Sequence, residues 1–196
     1  MIETGYLLIT DITGYTSFLT QSELDHAQHI IQGLFESQLE AIHPPLKVSN
    51  FQGDAILCYA AEAEAEKGHA VFDQVDNIYQ AFATKKAAMQ VNPPCHCRIC
   101  STMSVLDLKI FIHYGQYLVQ QMGDRKELMG SDVIVAHRLM KNKVKEETGI
   151  RSYLLVTDAA YEHLADEDTR KSLQKHTESY EDIGEVNLFV APLRPA

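Results

Sequence analysis

The order of short apolar runs and amphipathic stretches constrains the fold of this chain more than any single motif. The first run, residues 6–9, ends at Thr10 and Asp11 and is followed by Gly14. A short apolar run that leads into a glycine is typical of a buried strand that ends in a turn. We therefore predict that Asp11 lies at the end of the first strand.

A second aspartate occupies a comparable place in the sequence. Two strand-like runs, residues 46–51 and 55–59, lie on either side of a short segment that contains Gly53 and Asp54. The glycine supplies the backbone freedom that a tight hairpin requires. The sequence therefore predicts a hairpin with Asp54 at its tip.

The remaining segments continue the alternation of helices and strands. We predict helices over 22–42, 71–89 and 133–144, a hairpin of strands 106–112 and 117–122 that turns at Gly115, a charged connection over 123–129, a strand over 153–156, a short helix after Thr157 and a last hairpin within 176–190. This order predicts an α+β fold in which a mostly antiparallel sheet packs with helices on one face. We expect one domain over residues 1–196, with its core at about 5–160 and C-terminal strands at about 176–191.

Composition excludes several classes of function. Of the 196 residues 45% are hydrophobic, which is enough for a substantial core, and the formal net charge is −10. Such a chain has no positive field that would attract nucleic acid or an anionic membrane surface. No apolar run approaches the roughly 20 residues that span a bilayer, and the first residues lack the basic segment of a signal peptide. We expect a cytoplasmic protein without nucleic-acid or membrane partners.

Three of the four cysteines, Cys95, Cys97 and Cys100, lie close together. This spacing is poor for a mutual disulfide framework, so we expect reduced thiols in a reducing compartment. The three thiols could also bind Zn²⁺, although no second Cys-x-x-Cys pair is present, and His96 or a residue distant in sequence would have to complete the site. A zinc site and a loop of reduced cysteines are both open interpretations.

The aspartate pair suggests a different metal. If the first strand lies beside the hairpin in the sheet, Asp11 and Asp54 project from the same edge. Mg²⁺ and Mn²⁺ commonly take one or two carboxylates and complete their coordination with water and substrate phosphates. The start of a helix after Asp11 would add backbone N–H groups that favour a phosphate anion. In the alternative interpretation, one aspartate caps a helix and the other shapes a turn.

Four ordered motifs resemble those of the class III nucleotidyl cyclases, the catalytic domains of adenylyl and guanylyl cyclases. They are DITGYT at 11–16, FQGDA at 51–55, IHYG at 112–115, and Gly130 with AHRL at 136–139. Their joint occurrence is far more specific than any one of them. The resemblance covers about residues 5–160 and implies a ferredoxin-like class III cyclase fold. Within this superfamily the chain is most similar to an uncharacterised bacterial group with a cysteine-rich loop.

The resemblance assigns roles to individual positions. Asp11 and Asp54 match the two metal-binding aspartates of the family. The segment that the family places near the triphosphate corresponds to Thr13, Gly14, Tyr15 and Thr16. The resemblance therefore implies a nucleotide or related phosphate ligand bound with Mg²⁺ or Mn²⁺.

Other positions depart from the family pattern. Asn50 stands where the family has a base-recognising lysine, and Glu127 stands where it usually has a base-selecting aspartate. Ile134 replaces the asparagine of the transition-state pair, whereas its arginine partner is retained as Arg138. Removal of one preorganised polar group can lower a rate by about a hundredfold or more. We therefore expect conventional cyclase activity to be weak or lost.

The resemblance also implies a homodimer, because in the family one protomer offers the aspartates and the other offers the base-selecting and arginine positions. The leading hypothesis is a domain that binds a nucleoside triphosphate or related phosphate ligand with a divalent metal. One alternative is an active, divergent nucleotidyl cyclase that makes a cyclic nucleotide. Another is a protein-interaction module that is stabilised by zinc at the cysteine loop.

Overall fold

A mainly antiparallel sheet of eight strands organises the parts of the chain that the computed structural model describes, residues 1–20, 24–65, 68–92, 100–123, 125–164 and 167–194. The strands are β1 (Ile2–Thr13), β2 (Lys47–Gln52), β3 (Ala55–Ala61), β4 (Asp107–Met122), β5 (Arg125–Met129), β6 (Tyr153–Thr157), β7 (Gln174–Tyr180) and β8 (Gly184–Pro192). Their order is β2-β3-β1-β4-β6-β8-β7, and β5 pairs with β4 outside this path. Only the β4–β6 pair among these strands is parallel.

Helices connect most of the strands in the described ranges. They are α1 (Tyr15–Thr20), α2 (Leu24–Ala41), α3 (His69–Val91), α4 (Ser131–Arg138), α5 (Val144–Thr148), α6 (Asp158–Glu162) and α7 (Glu167–Ser172). The α+β class and the mostly antiparallel sheet are confirmed. The hairpin of β2 and β3, the strand β6, the short helix α6 and the last hairpin of β7 and β8 also lie where the sequence predicts them.

Helices cover both faces of the sheet, so the prediction of helices on one face is wrong. Alternate residues of β1 point to opposite faces. Leu8 packs in a cluster that includes Leu34 of α2 and Ile78 of α3, whereas Leu7 packs in a second cluster that includes Val133 of α4. Residues 5–10 of β1 are buried without interruption because both sides of the strand contact apolar side chains.

The predicted turn at Gly115 is also wrong, because β4 continues through this residue as one strand of 16 residues. Gly115 lies opposite Gly5 in the β1–β4 register. A Cβ atom on Gly115 would lie 2.3 Å from the side-chain Cγ of Asp132, so the glycine permits a close approach of α4 to the sheet. The chain turns at Gly123, whose φ is +62°, and the predicted charged connection contains the strand β5.

The helix predicted over 133–144 is two helices. Asn142 separates them: its Nδ2 donates to the carbonyl oxygen of Leu139 at 2.7 Å, and its Oδ1 accepts from the N–H of Val144 at 3.0 Å. An asparagine that bonds to the backbone on both sides ends one helix and begins the next. The hydrophobic spacing continues through this break, which explains the single helix predicted from the pattern.

The sheet is curled. Two strands separate β2 from β4, yet β5, which pairs with β4, reaches β2. Neighbouring strands are about 4.8 Å apart, so β2 and β4 would lie roughly 14 Å apart in a flat sheet. Asn50 of β2 nevertheless bonds to Glu127 of β5, and the rings of Tyr59 and Tyr117 lie 5.6 Å apart across β1. None of the helices in the described parts of the chain combines the length and the apolar character of a membrane span.

Candidate metal and phosphate site

Pairing of β1 with the β2–β3 hairpin brings Asp11 and Asp54 together. Asp11 lies opposite Ala55 in the β1–β3 register, and the N–H of Ile12 donates to the carbonyl oxygen of Asp54 at 3.1 Å. Both aspartates line one pocket with a volume of about 310 Å³. Asp11 is the last residue of β1 that pairs with β3, although β1 continues beside β4 to Thr13.

The pocket holds negative charge that is only partly compensated. Burial and, to a smaller extent, the neighbouring Asp54 raise the pKa of Asp11 to about 6, although Lys109 opposes the shift. The Lys109 ammonium lies 3.7 Å from Asp11 Oδ2, and the Asp11 side chain is only 13% exposed. A raised carboxyl pKa means that the ionised form is unfavourable in this environment. A bound cation would remove this penalty, and such perturbed groups are typical of functional sites.

The oxygen atoms of the pocket suit a hard divalent cation. Besides the two carboxylates, the pocket is lined by Thr13, whose buried hydroxyl has no hydrogen-bond partner among the described residues. Mg²⁺ and Mn²⁺ bind to oxygen and keep several water or phosphate ligands. No group of three or more His, Cys, Asp or Glu side chains with metal-binding geometry occurs in the described ranges. A cation held by two carboxylates and one hydroxyl has coordination positions left for water or a phosphate ligand.

All four residues of the expected phosphate segment, Thr13, Gly14, Tyr15 and Thr16, line the same pocket. The other wall includes Lys145, Glu146 and Tyr153, which the sequence did not indicate. Lys109 was also missed as a site residue, because it stands in an alternating strand and carries no motif of its own. Strand register is the signal that could have found it, since Lys109 lies opposite Asp11 in the β1–β4 pair.

The two base-selecting positions meet each other in a side-chain network. Asn50 Nδ2 donates to Glu127 Oε2 at 2.6 Å, and Gln52 Nε2 donates to Asn50 Oδ1 at 3.3 Å. Gln52 Nε2 also lies 3.4 Å from His137 Nε2 of α4. Neither Asn50 nor Glu127 is among the described residues that line the aspartate pocket. The network instead fastens β2 to β5 and α4.

Arg138 and Ile134 lie on α4, one helical turn apart, and neither is among the described residues that line the aspartate pocket. Ile134 is 57% exposed. Arg138 Nη2 lies 3.9 Å from Asp182 Oδ2, and the Asp182 side chain is 82% exposed. Exposed ion pairs of this length contribute little to stability. The guanidinium can therefore exchange this partner for another anion at little cost.

Most of the cysteine loop lies outside the described residues, which include neither Cys95 nor Cys97 nor the side chain of Cys100. The zinc site stays a prediction from the sequence. Cys58 is buried in β3, and burial raises the pKa of its thiol to about 12. A thiol in this environment packs as an apolar side chain and is not a reactive nucleophile.

Solved structures with the same architecture are cyclase catalytic domains. The adenylyl cyclase CyaB from P. aeruginosa superimposes with a TM-score of 0.71 at 12% identity, over 99% of this chain and 96% of that one. The guanylyl cyclase Cya2 gives 0.68 at 15% identity, over 99% and 94%. A bacterial light-regulated adenylyl cyclase gives 0.70 at 14% identity, over 96% of this chain, which spans about half (51%) of that protein's length. The chain has the class III nucleotidyl cyclase fold.

Sequence comparison then defines the family within this fold. Residues 31–148 match the family described as Protein of unknown function (DUF2652). The chain is also 31% identical over 168 residues to the uncharacterized protein Rv2561/Rv2562 of Mycobacterium tuberculosis (strain ATCC 25618 / H37Rv), over 83% of this chain and 76% of that protein. The chain therefore belongs to the DUF2652 family, a divergent group with the cyclase fold.

Proposed function

We propose that this domain binds a nucleoside triphosphate or a related phosphate ligand together with Mg²⁺ or Mn²⁺, and that its conventional cyclase activity is weak or lost. The convergence of Asp11 and Asp54 in one pocket with residues 13–16 is the observation that carries the proposal. The two carboxylates and the Thr13 hydroxyl are the groups that would hold the cation. When bound, the cation would neutralise and orient the phosphate oxygens.

Two features of the other half of the site support weak activity. The side chains at the base-selecting positions, Asn50 and Glu127, are engaged with each other. Ile134 presents an apolar side chain where the class III cyclases have an asparagine that stabilises the transition state. None of these three side chains is among the described residues that line the aspartate pocket, so we expect these changes to affect cyclisation more than ligand binding.

Homodimerisation is part of the same proposal. Asn50, Glu127 and Arg138, which the family resemblance places against the partner's aspartates, lie on β2, β5 and α4. The apolar side chains that these elements expose lie on both faces of the sheet: Phe51, 53% exposed, packs against Phe35 of α2, whereas Ile134, 57% exposed, lies on α4. A dimer through β2, β5 and α4 would cover Ile134 and bring Arg138 of one copy toward the pocket of the other.

An active divergent cyclase is the second candidate. Arg138 favours it, because this arginine is retained and its contact with Asp182 is a long ion pair at an exposed carboxylate. In this candidate, Arg138 of one protomer would bind the phosphates of a ligand held by the other. Product formation distinguishes the two candidates.

The test combines ligand binding with product analysis. Isothermal titration with ATP and GTP in Mn²⁺ should show binding that EDTA abolishes and that Asp11→Asn and Asp54→Asn each weaken at least tenfold. Asp25→Asn, at an exposed position in the first turn of α2, is the matched control and should bind as wild type does. Chromatography of the reaction mixture detects cyclic products.

Each outcome has a defined meaning. Binding without product supports the leading proposal, and product that depends on both aspartates supports the active cyclase. Absence of metal-dependent binding to either nucleotide would refute both. Zinc analysis of the purified protein and of a Cys95→Ser, Cys97→Ser, Cys100→Ser variant tests the zinc-stabilised interaction module separately.

A further inference from the structure

Lys109 and Lys145 bring two cations of the same chain into the aspartate pocket. Lys109 comes from β4, and its ammonium lies 3.7 Å from Asp11 Oδ2 and 5.8 Å from the centroid of the Tyr153 ring. Lys145 comes from α5, where the N–H of the first residue, Val144, donates to Asn142 Oδ1 at 3.0 Å. Lysine binds phosphate as a compact point charge. One protomer therefore offers both carboxylates for a cation and ammonium groups for a phosphate chain.

The charge of the pocket makes metal and phosphate binding interdependent. Among its described lining residues, the carboxylates are Asp11, Asp54 and Glu146, and the cationic groups are Lys109 and Lys145. The formal charge is negative without metal and becomes positive when one divalent cation binds. A dense anion such as a polyphosphate then finds a complementary field. Without the cation, the excess carboxylate charge would repel the same ligand.

The base-selecting positions offer little new binding energy to a nucleobase. Both polar ends of the Asn50 side chain are engaged, one with Glu127 and the other with Gln52. A base that used these groups would first have to break hydrogen bonds that include a charged acceptor, so the net gain would be small. The phosphate chain is the part of a nucleotide that this pocket suits.

We propose that the site recognises the polyphosphate chain of its ligand through Lys109 and Lys145 of one protomer and does not select the base. The ligand class is then any compound that carries a linear triphosphate, with inorganic triphosphate as its simplest member. This inference rests on the proposed metal-dependent binding of a phosphate ligand and specifies which part of the ligand is bound.

Isothermal titration with inorganic triphosphate, ATP and GTP in Mn²⁺ tests the proposal with the full chain. The three ligands should bind with dissociation constants within about threefold of one another. Lys145→Gln should weaken all three by about tenfold, because it removes one charge that contacts phosphate. Lys141→Gln is the matched control, since Lys141 is an exposed lysine before α5 and is not among the described residues that line the pocket. Lys145 is itself exposed, so its substitution should leave folding intact.

The outcomes separate this inference from the function on which it rests. If ATP or GTP binds more than about threefold more tightly than inorganic triphosphate, or if Lys145→Gln binds all three as wild type does, the inference is overturned while the proposed function stands. If none of the three binds in the presence of metal, the proposed function fails as well. The inference is supported if the three ligands bind wild type equally and if Lys145→Gln, but not Lys141→Gln, weakens the binding of all three.

Discussion

Replacing Asp11 by asparagine should stabilise the metal-free protein, although it should abolish metal binding. The folded-state pKa of Asp11 is about 6, against an ordinary value of 3.8. Each pKa unit corresponds to about 1.4 kcal/mol, so the ionised carboxylate costs the folded state about 3 kcal/mol at neutral pH. Asparagine removes this cost, but it also leaves the Lys109 ammonium without its charged partner, which offsets part of the stabilisation. We expect Asp11→Asn to raise the free energy of unfolding by about 1–2 kcal/mol.

The pH dependence has a defined sign. Because the pKa of Asp11 is higher in the folded state, its contribution to stability is complete below the unfolded value of 3.8 and is lost as the pH rises to about 6. The advantage of Asp11→Asn should therefore be present at about pH 8 and absent near pH 4. Urea unfolding in EDTA at both pH values measures it, and Asp73→Asn, at an exposed position of α3, is the control.

Addition of metal should reverse the ranking of the two proteins. A cation that binds only the folded state stabilises it in proportion to the logarithm of its concentration above the dissociation constant. Mn²⁺ should raise the stability of wild type and leave Asp11→Asn unchanged. An Asp11→Asn protein that is no more stable than wild type at about pH 8 in EDTA would refute the reasoning, because the carboxylate would then carry no cost for a metal to relieve.

Three further predictions concern the scaffold and the second half of the site. Gly5→Ala should lower the free energy of unfolding by at least about 3 kcal/mol, because its Cβ would collide with the backbone carbonyl oxygen of Ala60. Gly33→Ala in α2 is the control: its Cβ would meet only the ends of the flexible Met89 and Lys85 side chains, so the substitution should be neutral or stabilising. Equal effects of the two substitutions in urea unfolding would contradict the steric argument. Burial lowers the pKa of His113 from its ordinary 6.5, so the free energy of unfolding should decrease as the pH drops below that value. In the Asp11→Asn background, His113→Gln should reduce this loss of stability. A loss of the same size in both proteins would show that other groups cause it. Ile134→Asn should raise cyclic product formation at least about tenfold over wild type, because it restores a polar group that would stabilise the transition state. Ile134→Ala is the control and should not raise it. An unchanged yield from Ile134→Asn would show that another group limits catalysis.

The place of Asp11 near a strand end and of Asp54 at a hairpin tip could be predicted from sequence because each depends on local signals, whereas their convergence depends on the pairing of β1 with the hairpin. The contact of Lys109 with Asp11 and that of Glu127 with Asn50 could not be predicted, since they depend on strand register and on the curl of the sheet, which long-range contacts determine. Gly115 shows the same limit in another form. A glycine in a strand-like run indicates either a turn or a close approach of another element, and the sequence pattern alone does not distinguish them.

Gly5 and Gly115 face each other across β1 and β4, and neither position has room for a Cβ atom. A side chain at either position would collide with a neighbouring element: with the backbone of Ala60 at Gly5 and with Asp132 of α4 at Gly115. Asp11 and Lys109 pair six residues further along the strands, so neither collision falls at the aspartate pocket. Substitution at Gly115 would consequently displace α4, the helix that carries Ile134 and Arg138, while the aspartate pocket keeps its geometry.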